Sequence, residues 1–130
     1  MKGGSGTDQL WGGDGDDIIY GQDGLDTMCG GSGADKFVFE GASATNNIDV
    51  VKDFVTGQGD IIDVHDVLIG YSGTVTDFVR FTDDSGNTKV EVDRDGTGGT
   101  YSFTRIATLT GVTGLTDEAA LVSSGNLLVT

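Results

Sequence analysis

Apolar residues recur every nine positions through the first 38 residues of an otherwise polar and glycine-rich stretch. Each nonapeptide offers a six-residue turn and then three residues of which the middle one is apolar. Successive side chains of a strand point to opposite faces, so a strand this short sends only one side chain inward. The pattern therefore predicts four short strands around a thin core lined by Leu10, Ile19, Met28 and Phe37.

The four nonapeptides follow one another without a break and share their polar positions. Glycine fills the first and fourth positions, and also the second except where Gln22 stands, while aspartate fills the sixth. Two nonapeptides are expected to form one coil of a parallel β-roll, with alternate repeats stacked on each edge. This stacking places Asp8 near Asp26, and Asp17 near Asp35.

This G-G-x-G-x-D-x-U-x pattern resembles the calcium-binding repeat of RTX proteins. Carboxylates and backbone carbonyls between stacked turns can supply the six or more hard oxygens that calcium takes, whereas magnesium prefers a tighter octahedron. Glycine lets the backbone bend far enough to present these oxygens. We expect at least two calcium ions in the roll, with Asp16 as a possible extra ligand. The expected ligands occupy the first, third and sixth positions: Gly3, Ser5, Asp8, Gly12, Asp14, Asp17, Gly21, Asp23, Asp26, Gly30, Ser32 and Asp35.

Residues 39–70 lose the nine-residue period and become more apolar. A polar loop over 41–47 is followed by a strand over 48–55, a turn over 57–60 and a short strand over 61–64. The aromatic residues in this segment indicate a cap that closes one end of the roll, as terminal repeats require.

The run from Gly33 to Phe39, followed by the segments 49–54 and 57–64, resembles the cap that follows RTX repeats in proteins exported by type I secretion, including serralysin-type proteases. The resemblance implies that four cap carboxylates bind calcium or brace the cap. A solvated turn carboxylate is the alternative for each. These residues are Asp49, Asp53, Asp60 and Asp63.

Residues 71–130 predict a small antiparallel β unit. Segments 75–82 and 88–93 alternate as a hairpin around a turn at 83–87, and a further strand follows over 100–109. A short helix over 116–122 is predicted, with Thr116 as its N-cap and Gly125 beyond its end, before a last strand over 126–130. The fold class is therefore all-β: a parallel β-roll of two coils, a cap and a small antiparallel unit with one helix. The regions 1–38, 39–70 and 71–130 are expected to form one cooperative unit.

A D-x-D-G loop follows the predicted hairpin. Asp93 and Asp95 in this loop are candidate ligands of another calcium ion, although an acidic turn is the favoured alternative because half an EF-hand loop lacks the bidentate glutamate. The run from Thr88 to Val129 is similar to the C-terminal target domain of large RTX adhesins. The resemblance implies a type I exporter as partner and an extracellular location, as part of a longer protein on the surface of a Gram-negative bacterium. The last residues also resemble a type I export signal.

The charge balance points to cations as partners. Twenty-one acidic residues oppose seven basic ones, a formal net charge of −14, which disfavours nucleic acid and favours divalent cations. The lone Cys29 excludes an internal disulfide, and its outward ninth position predicts an exposed thiol. The sequence shows neither a signal peptide nor an apolar run long enough to cross a membrane.

Three classes of function compete. The favoured one is a monomeric, non-enzymatic module that folds with calcium and directs secretion of an adhesin. The second is the tail of a secreted hydrolase, a protease or lipase whose catalytic domain lies upstream. The third, a solenoid that binds ice or glycans, is weakest because the fifth positions form no repeated ladder. A catalytic function has little support, because His65 is the only candidate residue and the sequence contains no catalytic motif.

Overall fold

The computed structural model describes residues 1–41 and 43–130. Ala42, within the predicted loop 41–47, lies outside the described residues. The repeats form five short strands: β1 (Lys2–Ser5), β2 (Gln9–Asp14), β3 (Ile18–Asp23), β4 (Thr27–Ser32) and β5 (Lys36–Val38). The rest of the chain forms β6 (Asp49–Val51), β7 (Ile61–Asp63), β8 (Val79–Asp84), β9 (Asn87–Val92), β10 (Thr104–Leu109), helix α1 (Glu118–Ser124) and β11 (Leu127–Leu128). Single 3₁₀ turns occupy Ser43–Thr45, Thr56–Gln58, Val75–Asp77 and Gly96–Gly98.

The strands form two sheets, one on each wall of a roll. The first has the order β1-β3-β5-β7-β11 and is parallel throughout. The second has the order β2-β4-β6-β10-β9-β8; it is parallel as far as β10 and antiparallel beyond. Alternate repeats therefore stack on the same wall, which confirms the predicted parallel β-roll.

The core of the roll consists of two columns of inward side chains that continue into the cap. On one wall Leu10 lies in register with Met28, and Met28 with Val51. On the other wall Ile19 lies in register with Phe37 and Phe37 with Ile62, and all of these residues are buried. The four eighth-position residues are thus core residues, as predicted, and the cap supplies the next layer.

The C-terminal strands extend both walls of the roll. Strand β10 adds to β6 in parallel, and β11 adds to β7 in parallel. Helix α1 covers the outer strand of the second sheet, because the buried carboxylate of Glu118 accepts the backbone N–H of Phe81 through Oε1 at 2.6 Å. The pairings β8–β9 and β9–β10 are antiparallel as expected, but β10 also pairs in parallel with β6, and β11 pairs in parallel with β7.

Several element boundaries differ from the predictions. The strand predicted over 48–55 is restricted to Asp49–Val51, and the strand predicted over 100–109 begins at Thr104. The strand predicted from Val75 begins at Val79, because Val75–Asp77 form a 3₁₀ turn. The final strand contains only Leu127–Leu128. In each case an alternating sequence pattern extends past the residues that find a hydrogen-bonding partner strand.

Helix α1 begins two residues later than predicted. Asp117, not Thr116, is the N-cap, and its Oδ1 accepts the N–H of Ala120 at 2.9 Å. Gly125 ends the helix in the left-handed conformation (φ 85°), as expected. Within residues 1–41 and 43–130 no helix has the length and apolar character needed to cross a membrane.

The prediction of an exposed Cys29 is wrong, since the residue is only 5% exposed. The cap covers it: the carboxylate of Asp53 reaches the next two residues and accepts the N–H groups of Gly30 and Gly31, each at 2.8 Å. Burial also raises the pKa of the Cys29 thiol, and the neighbouring charge of Asp53 adds to this. The ninth position points outward in the repeat, but here the cap lies over it.

Candidate metal centre

The repeat aspartates form two hydrogen-bonded ladders, one along each edge of the roll. On the first edge the N–H of Asp8 donates to Asp26 Oδ1 at 2.9 Å, and the N–H of Asp26 donates to Asp49 Oδ1 at 3.0 Å. The two expected pairs of aspartates therefore share their edges. The second edge repeats this pattern through Asp17, Asp35 and Asp60, at 2.9 and 3.0 Å.

The second oxygen of each sixth-position aspartate is buried without a hydrogen-bond partner. Among the described residues, the same Oδ2 atom recurs four times in this state, in Asp8, Asp17, Asp26 and Asp35. A buried polar atom left unsatisfied costs about 1–3 kcal/mol, and a charged one costs more. Four equivalent oxygens in one register therefore indicate a missing positive partner rather than four independent defects.

Each of these oxygens faces the first glycine of its own repeat. A methyl group on Gly12 would lie 2.6 Å from Asp17 Oδ2 and 2.5 Å from the carbonyl oxygen of Gly30 in the next coil. A methyl group on Gly3 would lie 3.0 Å from Asp8 Oδ2 and 2.7 Å from the carbonyl oxygen of Gly21. Because glycine has no side chain, a space lined by carboxylate and carbonyl oxygens remains between stacked coils. We call each such space a cradle.

The residues around the cradles fit calcium. All the candidate ligand atoms described around the cradles are oxygens. Half of them are backbone carbonyl oxygens and half are carboxylate oxygens, and calcium accepts both in a flexible coordination geometry. Across the described part of the chain, no three His, Cys, Asp or Glu side chains converge on one point, so backbone carbonyls and water would supply the remaining ligands. The regular glycines make this possible because they occupy the positive-φ positions of each turn, such as Gly13 (φ 105°) and Gly15 (φ 102°).

Residues 2–37 match the family described as the RTX calcium-binding nonapeptide repeat, in four copies. They are RTX calcium-binding repeats. The structural similarity extends well beyond these repeats. The R3 subunit of the Azotobacter vinelandii mannuronan C5-epimerase AlgE6 aligns with 100% of this chain and 72% of its own, at 28% identity and a TM-score of 0.66.

A second solved structure, the C-terminal domain (RV) of MpAFP, aligns with 80% of this chain and 85% of its own, at 30% identity and a TM-score of 0.54. No curated protein sequence matches the chain. The RTX repeats bind calcium, and the surrounding fold resembles RTX β-rolls.

The third-position residues of the RTX repeats are exposed and pair between successive coils. Ser5 and Asp23 are exposed and pair in register on one wall, while Ser32 Oγ donates to Asp14 Oδ1 at 2.8 Å on the other. Asp16 Oδ1 accepts the N–H of Ala34 at 2.8 Å. The structure thus gives Asp14 and Asp16 contacts that hold one coil to the next.

The cap aspartates continue the RTX ladders and then end them. A methyl group on Gly21 would meet both Asp26 Oδ2 at 2.8 Å and Asp49 Oδ2 at 3.1 Å, so Asp49 adds a carboxylate to that cradle. Both oxygens of Asp60 accept backbone N–H groups, Oδ1 from Asp35 at 3.0 Å and Oδ2 from Val55 at 2.8 Å. Asp53 likewise uses both oxygens on backbone N–H groups. Asp53 and Asp60 therefore brace the cap.

Asp49 belongs to the site, yet the repeat pattern alone does not find it. Its distance in sequence from Asp26 is larger than the spacing of 18 residues between Asp8 and Asp26, because the loop after β5 intervenes. From the sequence, only the resemblance of segment 49–54 to the cap that follows RTX repeats indicates Asp49.

The neighbouring Asp63 and His65 form a separate contact at the end of β7. His65 Nδ1 lies 2.5 Å from Asp63 Oδ1, and His65 Nε2 lies 3.1 Å from Asp66 Oδ1. The hydrogen bond to Asp63 raises the pKa of His65. Asp63 therefore orients a surface histidine.

The D-x-D-G loop lies apart from the RTX repeats. Asp93 is buried and follows β9 directly, whereas Asp95 accepts the N–H groups of Thr100 and Tyr101. Burial, followed by the hydrogen bond with Asp95, raises the pKa of Asp93.

Three carboxyl groups of the ladders, those of Asp26, Asp49 and Asp60, have raised pKa values. Burial raises the pKa of Asp49 from its ordinary 3.8 to about 6, with a smaller contribution from the charge of Asp26. Burial also raises the pKa of Asp26 and of Asp60. The folded chain without calcium therefore binds more protons than the unfolded chain between about pH 4 and pH 6.

We expect the calcium-free chain to lose stability as pH rises through this window. Because a displacement of one pKa unit corresponds to about 1.4 kcal/mol, Asp49 alone should cost about 3 kcal/mol between about pH 4 and pH 7. Far-UV circular dichroism in calcium-free buffer at about pH 5 and about pH 7.5 measures the effect, and we expect the larger β-sheet signal at the lower pH. Asp49→Asn is the control, since the amide Oδ1 can still accept the Asp26 N–H but does not titrate. Greater stability at the higher pH would contradict the prediction.

Proposed function

We propose that this chain is a calcium-dependent folding module and C-terminal secretion-target region of a large extracellular RTX adhesin. The observation that carries the proposal is the set of four buried Oδ2 atoms without partners on the two edges of the roll. The same atoms that line the calcium cradles also oppose folding when the cradles hold no cation. The state of the chain then depends on the calcium concentration around it.

The core of the RTX repeats supports this dependence because it is thin. The repeats contribute only four eighth-position side chains to the columns between the walls, and all further layers come from the cap and the C-terminal strands. Ordering the backbone costs about 1–2 kcal/mol per residue, which so few inward side chains cannot offset for four glycine-rich turns. The free energy of calcium binding then becomes free energy of folding.

The calcium concentration differs between the two sides of the cell envelope. Extracellular calcium modules have dissociation constants of about 0.1–1 mM, a concentration that is met outside cells and not in the cytosol. On this proposal the chain remains unfolded before export and folds afterwards. An exporter with a narrow channel can then pass it as an extended chain.

The secretion role depends on the sequence resemblance of residues 88–129 to adhesin target domains, and the similar RV structure is likewise a C-terminal domain of its own protein. On this proposal the module is non-enzymatic and acts outside the cell as a monomer attached to a longer protein.

A second candidate is the tail of a secreted enzyme. The structure that aligns with this whole chain is a subunit of a mannuronan C5-epimerase, so a module of this fold also occurs in an enzyme. The sequence of the full-length gene distinguishes the two candidates. A catalytic domain encoded upstream would favour the second, and adhesin repeats would favour the first.

An export assay tests the proposal. We expect a passenger protein carrying this chain at its C-terminus to appear in the medium of bacteria that express a type I exporter. The matched control carries the same chain with residues 126–130 scrambled, which removes the terminal signal and leaves the RTX repeats intact. Retention of the intact fusion inside cells with an active exporter would refute the secretion role.

A further inference from the structure

The loop between β9 and β10 contains a buried carboxyl group that the RTX repeats do not explain. Asp93 follows the last residue of β9, is 7% exposed, and donates its backbone N–H to the Phe78 carbonyl at 2.8 Å. Its Oδ1 has no hydrogen-bond partner among residues 1–41 and 43–130. This is the same condition as that of the four ladder oxygens, but it occurs on a different part of the fold.

Asp95 lies two residues further on, and the loop is wrapped around it. Its Oδ2 accepts the N–H of Thr100 at 2.9 Å, and its Oδ1 accepts the N–H of Tyr101 at 3.2 Å. Gly98 is required here, because a methyl group at this position would lie 2.5 Å from Asp95 Oδ2. Burial raises the pKa of Asp93, and the charge of Asp95 is close enough to contribute to this. The loop therefore holds two acids side by side in a fixed position.

The nearest basic residue does not neutralise this pair. Arg94 directs its Nε to the Val67 carbonyl at 3.0 Å and stacks its guanidinium over the Tyr101 ring, 5.0 Å from the centroid. Within the described part of the chain, neither acid takes part in an ion pair. Two adjacent carboxylates, one of them buried, repel each other unless a cation or a shared proton lies between them.

We propose that Asp93 and Asp95 bind one calcium ion at the β9–β10 loop, at a site separate from the RTX repeats. Asp93 Oδ1 supplies the buried ligand, and Asp95, whose oxygens each retain a lone pair beside one accepted N–H, supplies the second. The flexible coordination of calcium allows loop carbonyls and water to complete the shell on the exposed side. Magnesium suits the loop less well, because it demands near-ideal octahedral geometry.

This site ties the C-terminal strands to the cap. Arg94, between the two acids, accepts the N–H of Ile69 through its backbone carbonyl at 2.6 Å and donates to Val67 through its side chain. Fixing Asp93 and Asp95 therefore also fixes the cap segment that precedes β8. The C-terminal half of the chain gains its own dependence on calcium, beyond that of the roll.

Native mass spectrometry of the whole chain in calcium tests the proposal by counting bound ions. We expect Asp93→Asn to bind one ion fewer than the unchanged chain, while Asp77→Asn, a charge-matched control in the same half, keeps the full number. An unchanged count in Asp93→Asn would overturn the proposal and would favour a proton shared by the two acids. If the RTX repeats fail to bind calcium, the unchanged chain would carry a single ion that Asp93→Asn loses, so the two hypotheses fail separately.

A second measurement does not depend on the folding of the variant. In the unchanged chain, amide resonances of Gly96 to Tyr101 should shift during a calcium titration and should remain unmoved by magnesium at the same concentration. The absence of calcium-dependent shifts in a chain whose RTX repeats have already folded with calcium would also overturn the proposal.

Discussion

Removing calcium with EDTA at neutral pH is expected to abolish most of the β-sheet structure of this chain. Without the cation, the Oδ2 atoms of the ladder aspartates are buried without partners, at about 1–3 kcal/mol each and more for a charge. Four such penalties are comparable with the whole stability of a small domain, about 5–15 kcal/mol. Because both walls run from the RTX repeats into β10 and β11, we expect the loss to spread to the C-terminal strands.

Two independent signals measure this transition. Far-UV circular dichroism should show the β-sheet signal returning as calcium is added, with a midpoint at about 0.1–1 mM. Cys29, the only cysteine and buried in the folded chain, should react rapidly with a thiol reagent in EDTA and slowly in calcium. Magnesium at the same concentrations is the control and should restore neither signal. A spectrum that chelation leaves unchanged would contradict calcium-dependent folding.

The sequence predicts the roll well because its information is local and periodic. A strict nine-residue period fixes which side chain of each strand points inward, and it places Asp8 beside Asp26 one coil later. Glycine at the turns is equally local, since positive φ is a property of single residues. Gln22 departs from this pattern and still adopts φ 73°, held by its neighbours in the ladder of strands.

The features that the sequence does not predict depend on contacts between distant segments. Cys29 is buried by Asp53, a residue of the cap, and no property of the repeat itself carries that information. The parallel pairing of β10 with β6 joins segments more than fifty residues apart, where local alternation indicates only that a strand exists. Similarly, helix α1 begins at Glu118 because this residue reaches the edge of β8.

The distinction between local sequence information and contacts between distant segments also applies to the candidate ligands. The first and sixth repeat positions converge on the cradles because they share one register. The third positions share that register too, yet Ser5 and Asp14 are exposed, and Asp14 accepts a hydrogen bond from Ser32 of the next coil. Asp49 enters a cradle although it lies outside the repeats, because the position of β6 beside β4 brings its carboxylate next to Gly21. Spacing alone therefore identifies the edges of the roll, and the sheet topology decides which carboxylates reach them.

Replacing Gly12 with alanine is expected to remove the calcium cradle between Gly12 and Gly30. The added methyl group would lie 2.5 Å from the Gly30 carbonyl oxygen and 2.6 Å from Asp17 Oδ2, so it would fill the space between two ligands. Gly12 does not have a positive φ, and the effect is therefore steric rather than conformational. Forcing a methyl group into packed surroundings costs about 1–3 kcal/mol even without a lost ligand.

Calorimetric titration of calcium into Gly12→Ala should show one ion fewer than the unchanged chain, and the folding midpoint should move to at least about tenfold higher calcium, as expected from a loss of about 1.4 kcal/mol. Gly57→Ala is the matched control, because Gly57 also lacks a positive φ and its added methyl group would meet nothing closer than Val55 Cγ1 at 4.0 Å. If both variants bind calcium as the unchanged chain does, the oxygens around Gly12 are not ligands. A loss in Gly12→Ala alone would identify the stacked glycine and aspartate as the unit that makes the fold depend on calcium.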